Sequence, residues 1–193
     1  MTTYASLSEY KIYSRIESAD AGDDGYITAV LETASRIIEK LAGRVFYPTT
    51  ETRVYDAPLG DELMFDTDFL SITSITNGDG STIPAAAYVL LPANSTPKWG
   101  VRLLRTSGVS WLMTNGSPEQ CISVTGSTGY SATTPEDVKA ACLEIAKAFY
   151  GRRFGENMSM KTIITPQGVV QLPEGVSDIA EMIARNYRRV GFA

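Results

Sequence analysis

The chain changes texture twice, and that change limits the folds open to it more than any single motif does. Apolar residues recur at Ile27, Val30, Leu31, Ala34, Ile37, Ile38 and Leu41, the spacing of a helix with one buried face. From Thr50 to Gly126 this period disappears. Short runs of β-branched and aromatic residues now alternate with clusters of Gly, Pro, Asn and Asp, the texture of strands and turns. Helical spacing returns at Val138, Ala141, Cys142, Ile145, Ala148 and Phe149. Two helical segments bracketing a β segment predict an α+β fold. The expected arrangement is a helical bundle body made from residues 1–49 and 127–193, with a small antiparallel β-sheet or barrel inserted at 50–126. At 193 residues, folding buries roughly 70% of the unfolded surface, enough for a sizeable core.

Local signals sharpen this outline. Ser6 and Glu9 stand at capping-box spacing and predict a short helix to about Arg15. Asp23 or Asp24 can cap the next helix, and Gly43 sits where a left-handed residue would end it. Arg53-Val54-Tyr55 and Leu63-Met64-Phe65 flank Ala57-Pro58-Leu59-Gly60-Asp61, which reads as a hairpin. Ile72 and Ile75 lie three apart, so alternation fails there and a bulge is expected. Asn77-Gly78-Asp79-Gly80 predicts a turn. Further strands are expected at 88–91, 99–104, 111–113 and 121–124, with Gly126 to Tyr130 as the exit from the last. Thr134-Pro135-Glu136-Asp137 restarts a helix, with the Thr134 hydroxyl as cap and Pro135 at its first position. Residues 162–172, broken by Pro166-Gln167-Gly168, read as an extended arm. A last helix should place Ile179, Ile183 and Val190 on one face.

The chemistry in the chain is sparse. There is no histidine, which removes the commonest general base, the commonest metal ligand and every Ser-His-acid arrangement. Cys121 and Cys142 have no Cys or His at ligand spacing and read as buried thiols. Asp61, Glu62, Asp66 and Asp68 lack the alternating oxygen ligands of a calcium loop and read as solvated hairpin ends. Gly126-Ser127-Thr128-Gly129 is followed by Tyr130-Ser131, without the Gly-Lys-Ser/Thr of a phosphate loop. A net charge of −5 argues against gripping a nucleic-acid backbone, which needs Lys and Arg to displace counterions. Tyr4, Tyr10, Tyr13 and Tyr26 suit either helix packing or an interface, and packing is the reading adopted. No run is long and apolar enough to cross a bilayer. The first five residues lack the basic and apolar stretches of a secretory signal, so maturation in the cytoplasm of the producing cell is expected.

The order of parts carries a resemblance. The helix end Ala34-Ser35-Arg36-Ile37-Ile38-Glu39-Lys40-Leu41-Ala42-Gly43-Arg44-Val45-Phe46 leads into Arg53-Val54-Tyr55-Asp56. Later, Gly129-Tyr130 runs through Pro135, Val138 and Ala141 into a second long helix ending at Ala148-Phe149-Tyr150-Gly151-Arg152-Arg153. This order resembles the head-tail connector, or adaptor, family of long-tailed double-stranded DNA bacteriophages and related particles. It spans both helical halves and the edges of the insertion, which is longer and more β-rich than in the smallest members.

The resemblance implies a non-catalytic virion protein with no cofactor, forming a ring of usually twelve copies at the neck. The ring would dock beneath the portal and join a stopper or tail-completion protein below, and double-stranded DNA would pass through without being specifically bound. Candidate contact residues are Arg44, Arg152, Arg153, Ile163, Val169, Val170, Leu172, Arg185, Arg188, Arg189 and Phe192. An acidic or neutral lumen is expected, because it would not hold the phosphate backbone. Two alternatives stay open. A stopper or tail-terminator protein has similar texture but is predominantly β, against the helix end at Gly43 to Phe46 and the C-terminal helix. An enzyme or small-ligand binder would use the insertion as its pocket, and the sequence discloses no convergent polar residues for that.

Overall fold

Helix α1 (Leu7–Ser14) starts as its capping box dictates. The Glu9 amide donates to Ser6 Oγ at 3.2 Å, and the Ser6 amide donates to Glu9 Oε2 at 2.7 Å. Helix α2 (Asp24–Ala42) ends at Gly43, whose φ of 64° lets its amide reach Glu39 O at 2.8 Å. Asp23 occupies the cap position without using its side chain on the helix. That carboxylate is taken instead by Tyr150 and Arg153. The computed structural model describes residues 2–154 and 159–189.

The fold is α+β, and the chain divides into two units. One comprises Met1–Phe46 and Thr134–Ala193, the other Tyr47–Thr133. In the first, α2 packs against α1, against α3 (Glu136–Gly151) and against α4 (Glu174–Tyr187). Ile27, Val30, Leu31, Ala34, Ile38 and Leu41 are buried on α2, facing a stripe of Val138, Ala141, Cys142 and Ile145 on α3. Ile37 and Phe149, expected in those stripes, are only half-buried. Pro135, not Thr134, sits at the α3 cap and offers no side-chain hydrogen bond, while Asp137 Oδ1 accepts from the Val138 amide in the first turn at 2.9 Å. The proposed arm is a two-stranded hairpin of β6 (Met160–Thr165) and β7 (Gly168–Pro173).

The second unit holds a five-stranded antiparallel sheet in the order β1-β5-β2-β4-β3. Its strands are β1 (Thr49–Tyr55), β2 (Glu62–Thr76), β3 (Tyr88–Leu91), β4 (Lys98–Leu103) and β5 (Ile122–Thr128). The hairpin expected between Tyr55 and Leu63 does not form, because β5 lies between β1 and β2. β5 alternates Ile122 and Val124 inward with Ser123 and Thr125 outward, so it gains most from a ladder on each side. β1 still touches the first half of β2 through side chains. Arg53 Nη1 lies 2.9 Å from Asp66 Oδ2, and Tyr55 Oη donates to Asp66 Oδ1 at 2.8 Å. The bulge predicted near Ile72 is present as register shifts at Phe69/Ser71 and Ile72/Ser74.

Residues 111–113 form no strand. Their backbone is held by Asn77 instead: its Oδ1 accepts from the Leu112 amide at 2.8 Å and its Nδ2 donates to Ser110 O at 2.9 Å. Asn77 is buried, so these bonds replace a ladder at the turn. The last strand runs through Gly126 to Thr128 rather than ending there. Phe65, Phe69, Ile75, Val101, Ile122 and Val124 fill the core under this sheet.

β5 can lie close to β2 because residue 126 has no side chain. A Cβ there would come 2.2 Å from Ser71 O. Gly126→Ala is therefore expected to push the central ladder apart and cost about 1–3 kcal/mol, read as a lower melting temperature.

Candidate assembly surfaces

The hairpin has two unlike faces. β-branched residues in β6 and β7 favour strands, and the Gly168 φ of 126° closes the turn between them. Residues directly opposite share a face. Ile163 pairs with Val170, and Lys161 with Leu172, on the inner side, where Val170 and Leu172 are buried with Val176, Ala180 and Ile183 of α4. Lys161 Nζ also reaches Glu181 Oε1 on α4 at 2.6 Å. Ile164 pairs with Val169 on the outer side, and these two are 82% and 59% exposed. Of the hairpin candidates, Val169 thus faces solvent, Ile163 is half-buried, and Val170 and Leu172 belong to the interior of the subunit. Ile164 is the most exposed apolar side chain of the hairpin, and it is not among the candidates read from the sequence. Its pairing with Val169 across the turn was the available signal.

Helix α4 is fastened at its end. Tyr187 Oη donates to both Asp137 oxygens at 2.8 and 2.7 Å, and its ring meets Phe46 edge-on at 5.2 Å. The Arg189 amide donates to Ala42 O at 3.2 Å. Arg185 and Arg188 are exposed, Arg189 and Arg44 are half-buried, and Phe192, like Val190, lies outside the described residues.

Arg152 and Arg153 differ in their surroundings. Arg152 is exposed. Arg153 pairs with Asp23 and lies 5.1 Å over the Tyr26 ring, so it closes the end of α3 onto the start of α2. Tyr150 Oη donates to Asp23 Oδ2 at 2.6 Å. That bond lowers the Asp23 carboxyl below its ordinary range, with help from Arg153, and pushes Tyr150 up to about 12.

Helix α1 offers a second surface. Tyr4 and Tyr10 are buried, as the packing reading requires, whereas Tyr13 and Tyr26 are exposed and Ile12 is 76% exposed. Leu7, Lys11, Ile12, Ile16, Ser18 and Asp24 line an open groove of about 660 Å³. Lys11 is buried there, 2.6 Å from Asp24 Oδ1.

Of the four acids read as solvated, Glu62 and Asp66 are exposed and Asp61 is half-buried, each in an ion pair at the surface, and Asp68 departs from that reading. Asp61 pairs with Arg105 at 3.0 Å and Glu62 with Arg102 at 2.7 Å, while Asp66 takes Arg53. Asp68 is buried. Among the described residues no cluster of three or more His, Cys, Asp or Glu is placed to hold a metal, and no helix is long and apolar enough to cross a membrane. Both cysteines are buried, and burial raises the Cys142 thiol.

The sequence profile of the head completion protein family matches residues 3–190. No curated protein sequence matches the chain. Its fold is similar to a chain of the virion of a native gene transfer agent particle, at a TM-score of 0.64 and 15% identity over 98% of this chain and 92% of that one. It is also similar to a chain of the neck of an empty gene transfer agent particle computed with C6 symmetry, at 0.59, 15%, 98% and 92%. The neck of the native particle computed with C12 symmetry gives 0.54 and 15% over 100% of this chain and 95% of that one.

Two measurements test these assignments. Leu172→Ala is expected to cost about 2–5 kcal/mol of stability, whereas Ile164→Ala should stay within about 0.5 kcal/mol, as judged by denaturant unfolding. Tyr150 is raised by folding, so its contribution is complete below its unfolded value near 10.0 and is lost as pH rises through about 12. Tyr150→Phe should flatten the stability curve across that window and leave its slope at neutral pH unchanged.

Proposed function

Because the chain belongs to the head completion protein family, we propose that it is a structural, non-catalytic ring subunit at the neck of a tailed phage or related particle. The match over residues 3–190 carries this reading. The likeness to chains from particle necks of C6 and C12 symmetry supports a cyclic assembly, with twelve copies as the number proposed. In such a ring each copy presents one surface to the neighbour on each side. The ring sits between the portal and a stopper or tail-completion protein, and double-stranded DNA passes through it.

Within that arrangement the outer face of the β6–β7 hairpin, with Ile164 and Val169, docks on the portal. An exposed apolar pair on a two-stranded hairpin has little purpose in an isolated subunit and gains from being covered. The exposed Arg152, Arg185 and Arg188 belong to protein contacts rather than to the channel. A chain of net charge −5 lining that channel would repel the DNA backbone and let it slide.

Electron cryomicroscopy of purified particles tests this. The expected result is a ring of this chain at the neck, with the hairpin against the portal and a lumen of acidic or neutral side chains. Absence of its density from the neck would overturn the reading, and an arginine-lined lumen would overturn the account of DNA passage.

A further inference from the structure

The sheet of the second unit is open, and its two edges differ. In the order β1-β5-β2-β4-β3, strands β1 and β3 each pair on one side only among the described residues. Free edges template association, and monomeric proteins guard them with lysine, proline, bulges or short strands. β1 runs in unbroken register from Thr49 opposite Thr128 to Tyr55 opposite Ile122, with no lysine or proline. Its two charged side chains, Glu51 and Arg53, pair with each other at 3.0 Å, and Arg53 also reaches Asp66. They are half-buried and do not project from the edge.

The opposite face beside this edge carries hydroxyls and no charge. Thr50, Ser127 and Ser71 form one row across β1, β5 and β2, and Thr52, Thr125 and Ser74 form the next. Thr52 and Thr125 share a hydrogen bond at 2.8 Å. Val54, next on the same side of β1, is 51% exposed. Identical copies of a chain with net charge −5 meet with least repulsion where neither presents a charge. β3, Tyr88-Val89-Leu90-Leu91, is uncharged too, with Val89 38% exposed.

We propose that the β1 edge of one copy pairs with the β3 edge of the next, so that the sheets of neighbouring copies join edge to edge around the ring. The proposal rests on the ring reading given above. A head-to-tail ring needs two different surfaces that fit each other. An open sheet supplies them, because the amides and carbonyls of one edge match those of the other in either strand direction. The short β3 limits the joint to a few residues. Such a ladder is weak between two free subunits and holds when ring closure satisfies every copy at once.

A double variant, Val54→Cys with Val89→Cys, tests the contact in purified particles treated with a short bis-maleimide. Cys121 and Cys142 are buried and contribute little background. A ladder of cross-linked multimers on a denaturing gel, absent from either single variant, is the expected result. A neck ring visible in micrographs without the ladder would overturn this inference and leave the ring reading standing. Loss of the ring reading itself would appear as missing neck density in unmodified particles. Dimers from Val54→Cys alone would mean like edges meet and would also overturn it. Val54→Lys, at an exposed site, should leave subunit melting unchanged and lower ring occupancy several-fold, and unchanged occupancy would count against the proposal.

Discussion

Helix α2 is the surface on which the rest of its unit is assembled. Its stripe from Ile27 to Ala42 is buried by α1, α3, α4 and β7, so the first and last thirds of the chain meet on one helix. The centre of the stripe is polar and fully satisfied. Ser35 is 0% exposed, accepts the Tyr4 amide at 3.1 Å and donates to Leu31 O at 2.8 Å. Tyr4 continues outward, donating its hydroxyl to Glu39 Oε1 at 2.7 Å and accepting the Phe46 amide at 3.1 Å. Burial raises the Glu39 carboxyl and the Tyr4 hydroxyl, so both groups depend on these bonds for their place in the interior. A buried polar chain of this kind fixes one register of the N-terminal segment on α2, which apolar packing alone would leave less specified.

Elements governed by contacts within a few residues were legible in the sequence. The Ser6–Glu9 box, the Gly43 terminus, the apolar stripes and the bulge near Ile72 all follow from local spacing, because a cap or a period is satisfied within one turn or one strand. The parts that were not legible depend on residues far apart. Nothing local to Tyr55 and Leu63 announces that Ile122–Thr128 will come between their strands. The segment 111–113 has strand composition, and the Leu112 amide is taken by Asn77, 35 residues before it, instead of by a ladder. Residues 162–172 carried strand composition as well. Whether they formed a lone arm or a hairpin depended on the positive φ at Gly168 and on the burial of Leu172 against α4, a tertiary fact.

The candidate contact residues divide along the same line. A residue type can suggest an interface, but burial decides whether the side chain is offered to one. Val169 and Val170 are adjacent and chemically identical, and strand alternation sends one to solvent and the other to the core. Arg152 and Arg153 are adjacent too, and Asp23 with Tyr26 occupies only the second. Composition could nominate these pairs without ranking their members, because the ranking depends on which partner the fold brings near.

Each unit has its own core, and the chain passes between them twice, after Phe46 and after Thr133. Separate cores have a consequence for assembly. The polar chain through Ser35 and Tyr4 stabilises one unit, and the apolar cluster around Phe69 and Ile122 stabilises the other, so a contact made by either need not disturb the packing of its companion. A ring subunit at a neck must satisfy neighbours beside it and different proteins above and below. If, as proposed, the hairpin face of the helical unit and the strand edges of the sheet unit take different partners, each contact draws on a surface supported by its own core. The work of such a subunit then lies in the geometry of its surfaces, and partly exposed ion pairs such as Arg53 with Asp66 and Arg153 with Asp23 add little to the stability that the two cores supply.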